Sequence, residues 1–316
     1  MYTEKELRKI LENWDIPKNL QIGNVYICNG ERICETEWLI GEQYILKTGD
    51  RVQRIKNISI AKALNKHGFT SSLPVPTITD EDYFDGTDIF VLVHSLKGAP
   101  LNTEARYGNR RLDYANECGQ SIARLHNALK LVQKDISPDE VNLYKNVTEW
   151  ALPNVKQQNQ QWGMEINDGF FDDYITNFEK LYDKLPKQLI HRNPCPDYVL
   201  FDDGKVTGFI DFDLSEINLR LWDPCYYSTG VLSETEDDAE KYEKWLGIIK
   251  SVMHGYDSIN PLSEEEKQSI FYVLCSIQMI CVAYFESIDE YKQLARTNRR
   301  MLQFIIKNKE LIKNIF

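Results

Sequence analysis

The sequence predicts a two-lobed α+β protein, with a small antiparallel-sheet lobe at residues 1–94 and a large, mainly helical lobe at residues 95–316. Three observations predict this division. Strand-like runs separated by turn residues, plus one helix-like stretch, fill the first segment. Apolar residues at helical spacing dominate the second. The length of 316 residues and the hydrophobic content of 42% favour two domains or one large bilobal unit.

The first lobe is predicted to start with a charged amphipathic helix within residues 1–17. This stretch lacks the apolar run of a signal peptide, so we expect a cytoplasmic protein. An antiparallel meander follows, because the turn pairs Asn29-Gly30 and Gly41-Glu42 separate apolar runs. Its predicted strands are Asn24–Cys28, Thr36–Ile40 and Gln43–Leu46.

A helix is predicted over Arg51–His67, with Gly68 as its stop. This helix contains no Asp or Glu. The continuous apolar run Asp88–His94 is predicted to form the strand that closes the lobe. The apolar face expected for the helix comprises Val52, Ile55, Ile58, Ile60, Ala61 and Leu64.

In the second lobe, a β-hairpin is predicted around the turn Asp202–Gly204. The longest apolar run, Ile270–Phe285, is too short for a comfortable membrane span and is predicted to be a buried helix. Ser263 and Glu266 form a capping box at its start. The other predicted helices are Tyr114–Leu129, Phe170–Leu185 and long helices from Asp237 onwards.

Charge and cysteine content exclude several function classes. The net charge of −11 argues against binding to nucleic acid or to an anionic membrane, for which basic patches are typical. It is compatible with a cationic small substrate, although solubility alone explains it more simply. The seven cysteines form no CxxC pair, so neither a zinc knuckle nor a redox motif is expected.

The segment His191–Tyr198, followed by Asp211–Asp213, has the spacing of a phosphotransferase site. Phosphoryl transfer needs a lysine on the phosphates, a carboxylate that accepts the hydroxyl proton, and an amide and a carboxylate on magnesium. Lys47 closes an apolar strand, where such a lysine is expected. Asn193 lies five residues before Tyr198, and Asp211 follows the predicted hairpin.

These segments resemble the aminoglycoside phosphotransferase and choline kinase-like family. The family loop reads H-G-D-x-H-P-x-N-V-L-F followed by I-D-F or I-D-W, whereas this chain reads H-R-N-P-C-P-D-Y-V-L-F and I-D-F-D. The resemblance implies a bilobal protein-kinase-like fold, ATP and magnesium as cofactors, and a small-molecule substrate. It is carried by Phe90–Leu101, Ile122–His126, His191–Phe201, Ile210–Asp213 and Asp223–Tyr227.

The same resemblance implies roles for individual positions. The positions that correspond to nucleotide contacts are Lys47, Val93, His94 and Asp211. The positions that correspond to metal ligands are Asp211, Asp213 and Tyr198. The catalytic-loop positions are His191 and Asn193, the latter at the place of the catalytic aspartate.

The chain departs from the family pattern at three positions. Asn193 cannot accept a proton at neutral pH, which removes general-base help of about 10²–10⁴-fold. Tyr198 replaces the metal-binding asparagine, and a neutral phenol is a poor magnesium ligand. By register, Asn57 takes the place of the helix glutamate, so Lys47 is expected to lack its orienting partner.

Five further residues leave alternatives open. Asp197 either substitutes for the missing carboxylate or is a turn residue, and Asp213 is either a second metal contact or a helix cap. His191 is expected to hydrogen-bond the loop backbone rather than act as an acid or base. Asp223 is expected to tie a loop. Cys195 lacks a partner histidine, so thiol chemistry is not expected.

Two functions follow from these observations. The favoured interpretation is a pseudokinase that binds ATP and magnesium weakly or not at all and can have a protein partner. The alternative is an active ATP-dependent kinase that phosphorylates a hydroxyl of an amino-sugar, choline-like or amino-alcohol substrate. Neither function involves nucleic acid or a membrane.

Overall fold

The structure, a computed structural model, describes residues 2–27, 32–136, 138–236 and 238–316. The strands are β1 Ile22–Ile27, β2 Arg32–Ile40, β3 Tyr44–Gly49, β4 Phe84–Asp85, β5 Ile89–His94, β6 Ala99–Pro100, β7 Lys187–Ile190, β8 Val199–Asp202, β9 Lys205–Phe209 and β10 Glu216–Leu219. The α-helices are α1 Glu4–Leu11, α2 Arg51–Lys66, α3 Thr103–Tyr107, α4 Arg111–Val132, α5 Leu143–Asn146, α6 Leu152–Gln158, α7 Asp168–Asp173, α8 Glu179–Tyr182, α9 Trp222–Leu232, α10 Ala239–Ile259, α11 Glu264–Glu286, α12 Lys292–Lys307 and α13 Lys309–Lys313.

The chain forms two compact units. The sheet unit comprises Met1–Asn102, Lys134–Ile136 and Asp197–Leu214, and the helical unit comprises the remaining segments. This division differs from the predicted boundary at residue 94, because the hairpin β8–β9 pairs with β6 inside the sheet unit. The segment that contains Asp211 therefore belongs to the same unit as Lys47.

The sheet unit is built on five antiparallel strands in the order β1-β2-β3-β5-β4. Its core includes Trp38, Leu46 and Leu92, and α1 is packed against it through Leu7. The predicted meander is confirmed, although α1 is shorter than expected. The turn predicted at Asn29-Gly30 lies outside the described residues.

Helix α2 is confirmed almost to the residue, and its end at Gly68 is confirmed by a left-handed φ of 78°. Asp50 caps its start by accepting a hydrogen bond from the backbone N–H of Gln53. The predicted apolar face was wrong at Val52, whose surface is 74% exposed, whereas the charged Arg54 is buried.

The helical unit contains the other predicted helices. The stretch predicted as one helix, Phe170–Leu185, is α7 and α8 joined by a π-helical turn at Tyr174–Phe178. In the resulting aromatic cluster, Phe178 stacks on Tyr272. The capping box that starts α11 is confirmed. Helix α11 is long and apolar enough to cross a membrane, but most of it is buried in the structure, as expected for a core helix.

Helices α4 and α10 approach backbone to backbone at two glycines. A Cβ atom on Gly119 would lie 2.0 Å from the carbonyl oxygen of Val252. A Cβ atom on Gly255 would lie 2.2 Å from the carbonyl oxygen of Asn116. Both distances are far below van der Waals contact, so neither position accepts a side chain without moving a helix.

We therefore expect Gly255→Ala to lower the free energy of unfolding by about 1–3 kcal/mol through overpacking. Gly247→Ala, in the same helix, is the matched control because its Cβ would lie 3.4 Å from a flexible leucine methyl group. The control should stabilise the protein by up to about 1 kcal/mol through helix propensity. Urea unfolding measures both values, and equal effects of the two substitutions would contradict the close approach.

Candidate active site

Lys47 lies in the middle of β3 and is 7% exposed. Its Nζ donates a hydrogen bond of 2.8 Å to Oε1 of Glu37, which lies directly opposite on β2. The expectation that Lys47 lacks a partner was therefore wrong. Helix α2 supplies no carboxylate, but the neighbouring strand does, and this pairing depends on the register between two strands.

The charge of Lys47 is stabilised despite its burial. Burial disfavours the ammonium form, but Glu37 and Asp211 outweigh that effect and raise the pKa of Lys47 above its ordinary value. Lys47 is therefore a cation at neutral pH, as phosphate binding requires.

Asp211 follows β9 and has a left-handed φ of 70°. For a residue other than glycine this conformation costs about 1–3 kcal/mol and is concentrated at functional sites. Its Oδ1 atom is buried and has no hydrogen-bond partner within the described residues. A strained backbone that holds a free carboxylate oxygen is the strongest sign in this structure of a site that takes a ligand.

Both carboxylate oxygens of Asp213 are in contact with other side chains. Asn57 donates a hydrogen bond of 2.7 Å to Oδ1, and Nη1 of Arg54 lies 3.0 Å from Oδ2. Asp213 precedes a turn and β10 rather than a helix, so the helix-cap alternative was wrong. Burial raises its pKa above the ordinary value, Arg54 opposes this rise, and Asp211 adds to it.

Arg54 is the site residue that sequence reasoning missed. It is 7% exposed, and its Nε donates a hydrogen bond of 3.1 Å to the backbone carbonyl of Thr48. Its Nη2 lies 3.7 Å from Glu37. The sequence pattern could have revealed the burial of Arg54, because this residue lies on the same helix face as Ile58 and Ala61, four and seven residues further on.

Several of the site side chains line a cavity of about 30 Å³ within the sheet unit. Apolar side chains of β3, β5 and β9 form much of its wall. The volume suits water or one small ion, whereas pockets for drug-sized ligands span roughly 300–1,000 Å³. Its charged and amide lining residues are Lys47, Arg54, Asn57 and Asp211.

The start of the predicted catalytic loop is held by backbone hydrogen bonds within the helical unit. The backbone N–H groups of His191 and Arg192 donate hydrogen bonds of 2.8 and 2.9 Å to the two oxygens of Asp223. Nε2 of His126 lies 2.8 Å from Asp223 as well. The expectation that Asp223 ties a loop is confirmed. His191 is fully buried, and its Nδ1 faces the backbone N–H of Asn193 at 3.4 Å.

Arg192 occupies the position of the family glycine in this loop. Its guanidinium stacks on Trp222 at 3.8 Å from the ring centre and pairs with Glu216 at 2.8 Å. Asn193 accepts a hydrogen bond from the backbone N–H of Cys195 through its carbonyl oxygen. Asn193, a neutral side chain, therefore lies in a loop whose backbone is held by hydrogen bonds.

The remaining predicted site residues lie in a 3₁₀ turn and at the end of β5. Asp197 and Tyr198 belong to a single 3₁₀ turn, so Asp197 is a turn residue, and the carbonyl oxygen of Tyr198 accepts from the N–H of Ile210. Val93 is buried in β5, and His94 is exposed at the strand end.

The residues fit the family's magnesium only in part. Asp211 offers one free carboxylate oxygen, but both oxygens of Asp213 already contact Arg54 and Asn57. Among the residues that the structure describes, no group of three or more His, Cys, Asp or Glu side chains is placed to hold a metal ion. With Arg54 beside Asp213, the residues do not fit a magnesium ion shared by Asp211 and Asp213.

Sheet, lysine–glutamate pair and catalytic-type loop together define a protein of the kinase-like phosphotransferase class. The model of the phosphotransferase enzyme family matches residues 37–256, and the chain belongs to this family. The resemblance inferred from the motifs and the predicted bilobal α+β fold are confirmed.

Several known proteins are similar over most of the chain. A homoserine kinase of Phenylobacterium zucineum is 23% identical over 278 residues, covering 85% of this chain and 80% of that protein. An aminopropanol kinase associated with a microcompartment superposes with a TM-score of 0.66 at 14% identity, covering 99% and 100% of the two chains. The GDP complex of an aminoglycoside 2'-phosphotransferase superposes with a TM-score of 0.67 at 13% identity, covering 98% and 100%.

Proposed function

We propose that this chain is a nucleotide-binding pseudokinase of the phosphotransferase family, in which phosphoryl transfer is slow or lost. The observation that carries the proposal is the free, buried Oδ1 atom of Asp211 on the cavity that Lys47 also lines. Binding groups are retained there, whereas the proton acceptor is replaced by Asn193 in the sequence.

Retained binding is supported by two opposite charges in one unit. Lys47 is a buried cation that can contact a phosphate oxygen, and Asp211 is a carboxylate that can contact a phosphate-bound cation. The contacts of Asp213 with Arg54 and Asn57 support a reduced role for magnesium in that binding.

Loss of transfer is supported by the chemistry of the loop. Its backbone is held in place by Asp223, so the loop is formed, but Asn193 presents an amide where a base is required. Tyr198 removes an amide ligand of the metal at the same time. Because the backbone of the loop is held in place, we attribute the loss of phosphoryl transfer to the side chains of Asn193 and Tyr198 rather than to the fold.

An active kinase for an amino-alcohol substrate is the second candidate. It is supported by relatives named homoserine kinase, one of which matches 85% of this chain. The net charge of −11 suits a substrate that carries an amine. For either candidate we propose a cytoplasmic protein with a small-molecule ligand, and for the pseudokinase a protein partner in addition.

A thermal-shift titration with ATP, with and without magnesium, tests retained binding. We expect the melting temperature to rise by on the order of 3 °C when ATP is present at about ten times its Kd. Asp211→Asn should remove the part of the shift that needs magnesium. Asp203→Asn is the matched control, because Asp203 also has a positive φ but lies exposed in the β8–β9 turn.

Three outcomes decide between the candidates. An unchanged melting temperature of the wild-type protein at millimolar ATP would overturn nucleotide binding. An equal shift in Asp211→Asn and wild type would remove Asp211 from the site. Conversion of ATP and homoserine to ADP and a phosphoester, abolished by Asp211→Asn but not by Asp203→Asn, would establish the active kinase instead.

A further inference from the structure

We propose that Arg54 is a built-in counter-cation for Asp213, so that a divalent metal ion can contact Asp211 but not the Asp211 and Asp213 pair. The inference concerns the site of the proposed function and rests on that proposal only for what the site binds. It follows from the mismatch between the residues present and a two-carboxylate metal site.

The first step is the occupancy of Asp213. Nη1 of Arg54 forms an ion pair with one carboxylate oxygen at 3.0 Å, although without hydrogen-bond geometry, and the Asn57 amide donates a hydrogen bond of 2.7 Å to the other oxygen. A metal ion at Asp213 would lie next to the Arg54 guanidinium, and the repulsion between these positive charges disfavours it unless Arg54 is displaced. Displacing Arg54 would leave a buried guanidinium without its counter-charge, which is unfavourable.

The second step is the anchoring of the guanidinium. Nε of Arg54 donates to the backbone carbonyl of Thr48, and Nη2 lies 3.7 Å from Glu37, which is also the partner of Lys47. One planar group thus faces three acceptors on different chain segments, which a lysine ammonium on a flexible stem does less well. These contacts place the guanidinium beside Asp213.

The third step is charge. Two cations, Lys47 and Arg54, face three carboxylates, Glu37, Asp211 and Asp213, so the cluster carries one net negative charge. Without Arg54 the cluster would carry two net negative charges, and Asp213 would lose the guanidinium that pairs with it next to Asp211. Because a guanidinium does not lose its proton in proteins, this cation is permanent, whereas a bound metal ion can leave.

Isothermal titration of the nucleotide-free protein with Mn²⁺ tests the inference. We expect weak binding to the wild type and binding about tenfold tighter or more to Arg54→Met, because a nearby positive charge is removed and a carboxylate is freed. Arg54→Lys keeps the charge and should remain close to wild type. Arg51→Met is the matched control, since Arg51 lies in the same helix but is exposed and pairs with Asp85.

Asp213→Asn in the wild-type background keeps the test decisive if Arg54→Met does not fold, and the double variant extends the test if it does. Asp213→Asn in the wild-type background removes one negative charge near Asp211, so it should weaken Mn²⁺ binding no more than Glu37→Gln, which removes the same charge from the cluster. A clearly larger loss in Asp213→Asn would show that Asp213 is a ligand and overturn the inference. Asp213→Asn combined with Arg54→Met should return the affinity to the wild-type value. Equal affinity of folded Arg54→Met and wild type would also overturn it. Because nucleotide is absent, failure here is distinct from failure of ATP binding in the thermal-shift experiment.

Discussion

Replacing Asn193 by aspartate and Tyr198 by asparagine in one variant should raise phosphoryl transfer from ATP by about 10²–10⁴-fold. The expected gain comes from a restored proton acceptor and a restored amide ligand for magnesium. The measurement is the initial rate of ADP formation, with homoserine as acceptor and with water alone. Homoserine is the first acceptor to test because relatives of this chain carry that activity in their names.

Several controls define this experiment. Asn193→Asp alone separates the base from the metal ligand, and adding Asp211→Asn to the double variant should abolish the gain. Asn154→Asp introduces the same charge on the exposed face of α6 and should leave the rate at the wild-type level. A double variant that folds, binds ATP and still shows the wild-type rate would contradict the view that the loss lies in these two side chains.

Asp223→Ala should lower the free energy of unfolding by about 3–5 kcal/mol, because it leaves buried polar groups without their charged partner. Asp223 is fully buried and contacts the backbone N–H groups of His191 and Arg192 and the ring of His126. Asp223→Asn keeps the size and one acceptor oxygen, so it should be destabilised less. Urea unfolding followed by circular dichroism gives both values.

The matched control for this prediction is Asp183→Ala. Asp183 is exposed at the end of α8, and its removal should change the free energy of unfolding by less than about 0.5 kcal/mol. A destabilisation of Asp223→Ala as small as that of the control would contradict the view that this carboxylate holds the catalytic-type loop. It would also leave the order of the loop without a physical explanation.

Features that depend on neighbouring residues in the chain were predictable. The stop of α2 at Gly68 follows from a backbone conformation that glycine adopts readily, and the start of α11 follows from a capping box. The hairpin turn at Asp203-Gly204 is equally local. The family was recognisable for the same reason, because its loop is a short, continuous segment with fixed spacing.

Features that depend on packing between distant segments were not predictable. The partner of Lys47 is Glu37, which the register of two strands places opposite it, and no rule along the chain selects that pair. The burial of Arg54 contradicts the usual preference of arginine for the surface. Burial of Arg54 becomes favourable because Asp213, which follows the β8–β9 hairpin about 160 residues later in the chain, supplies the counter-charge.

Spacing and composition along the chain were thus enough to predict the fold and the family. They left open how the remaining charges are balanced, because electrostatic energy depends on distances in space and on burial rather than on order in the chain. The three-dimensional arrangement of Lys47, Glu37, Arg54 and Asp213 settled that balance. A cation fixed in α2 contacts the carboxylate that the sequence offered as a metal ligand.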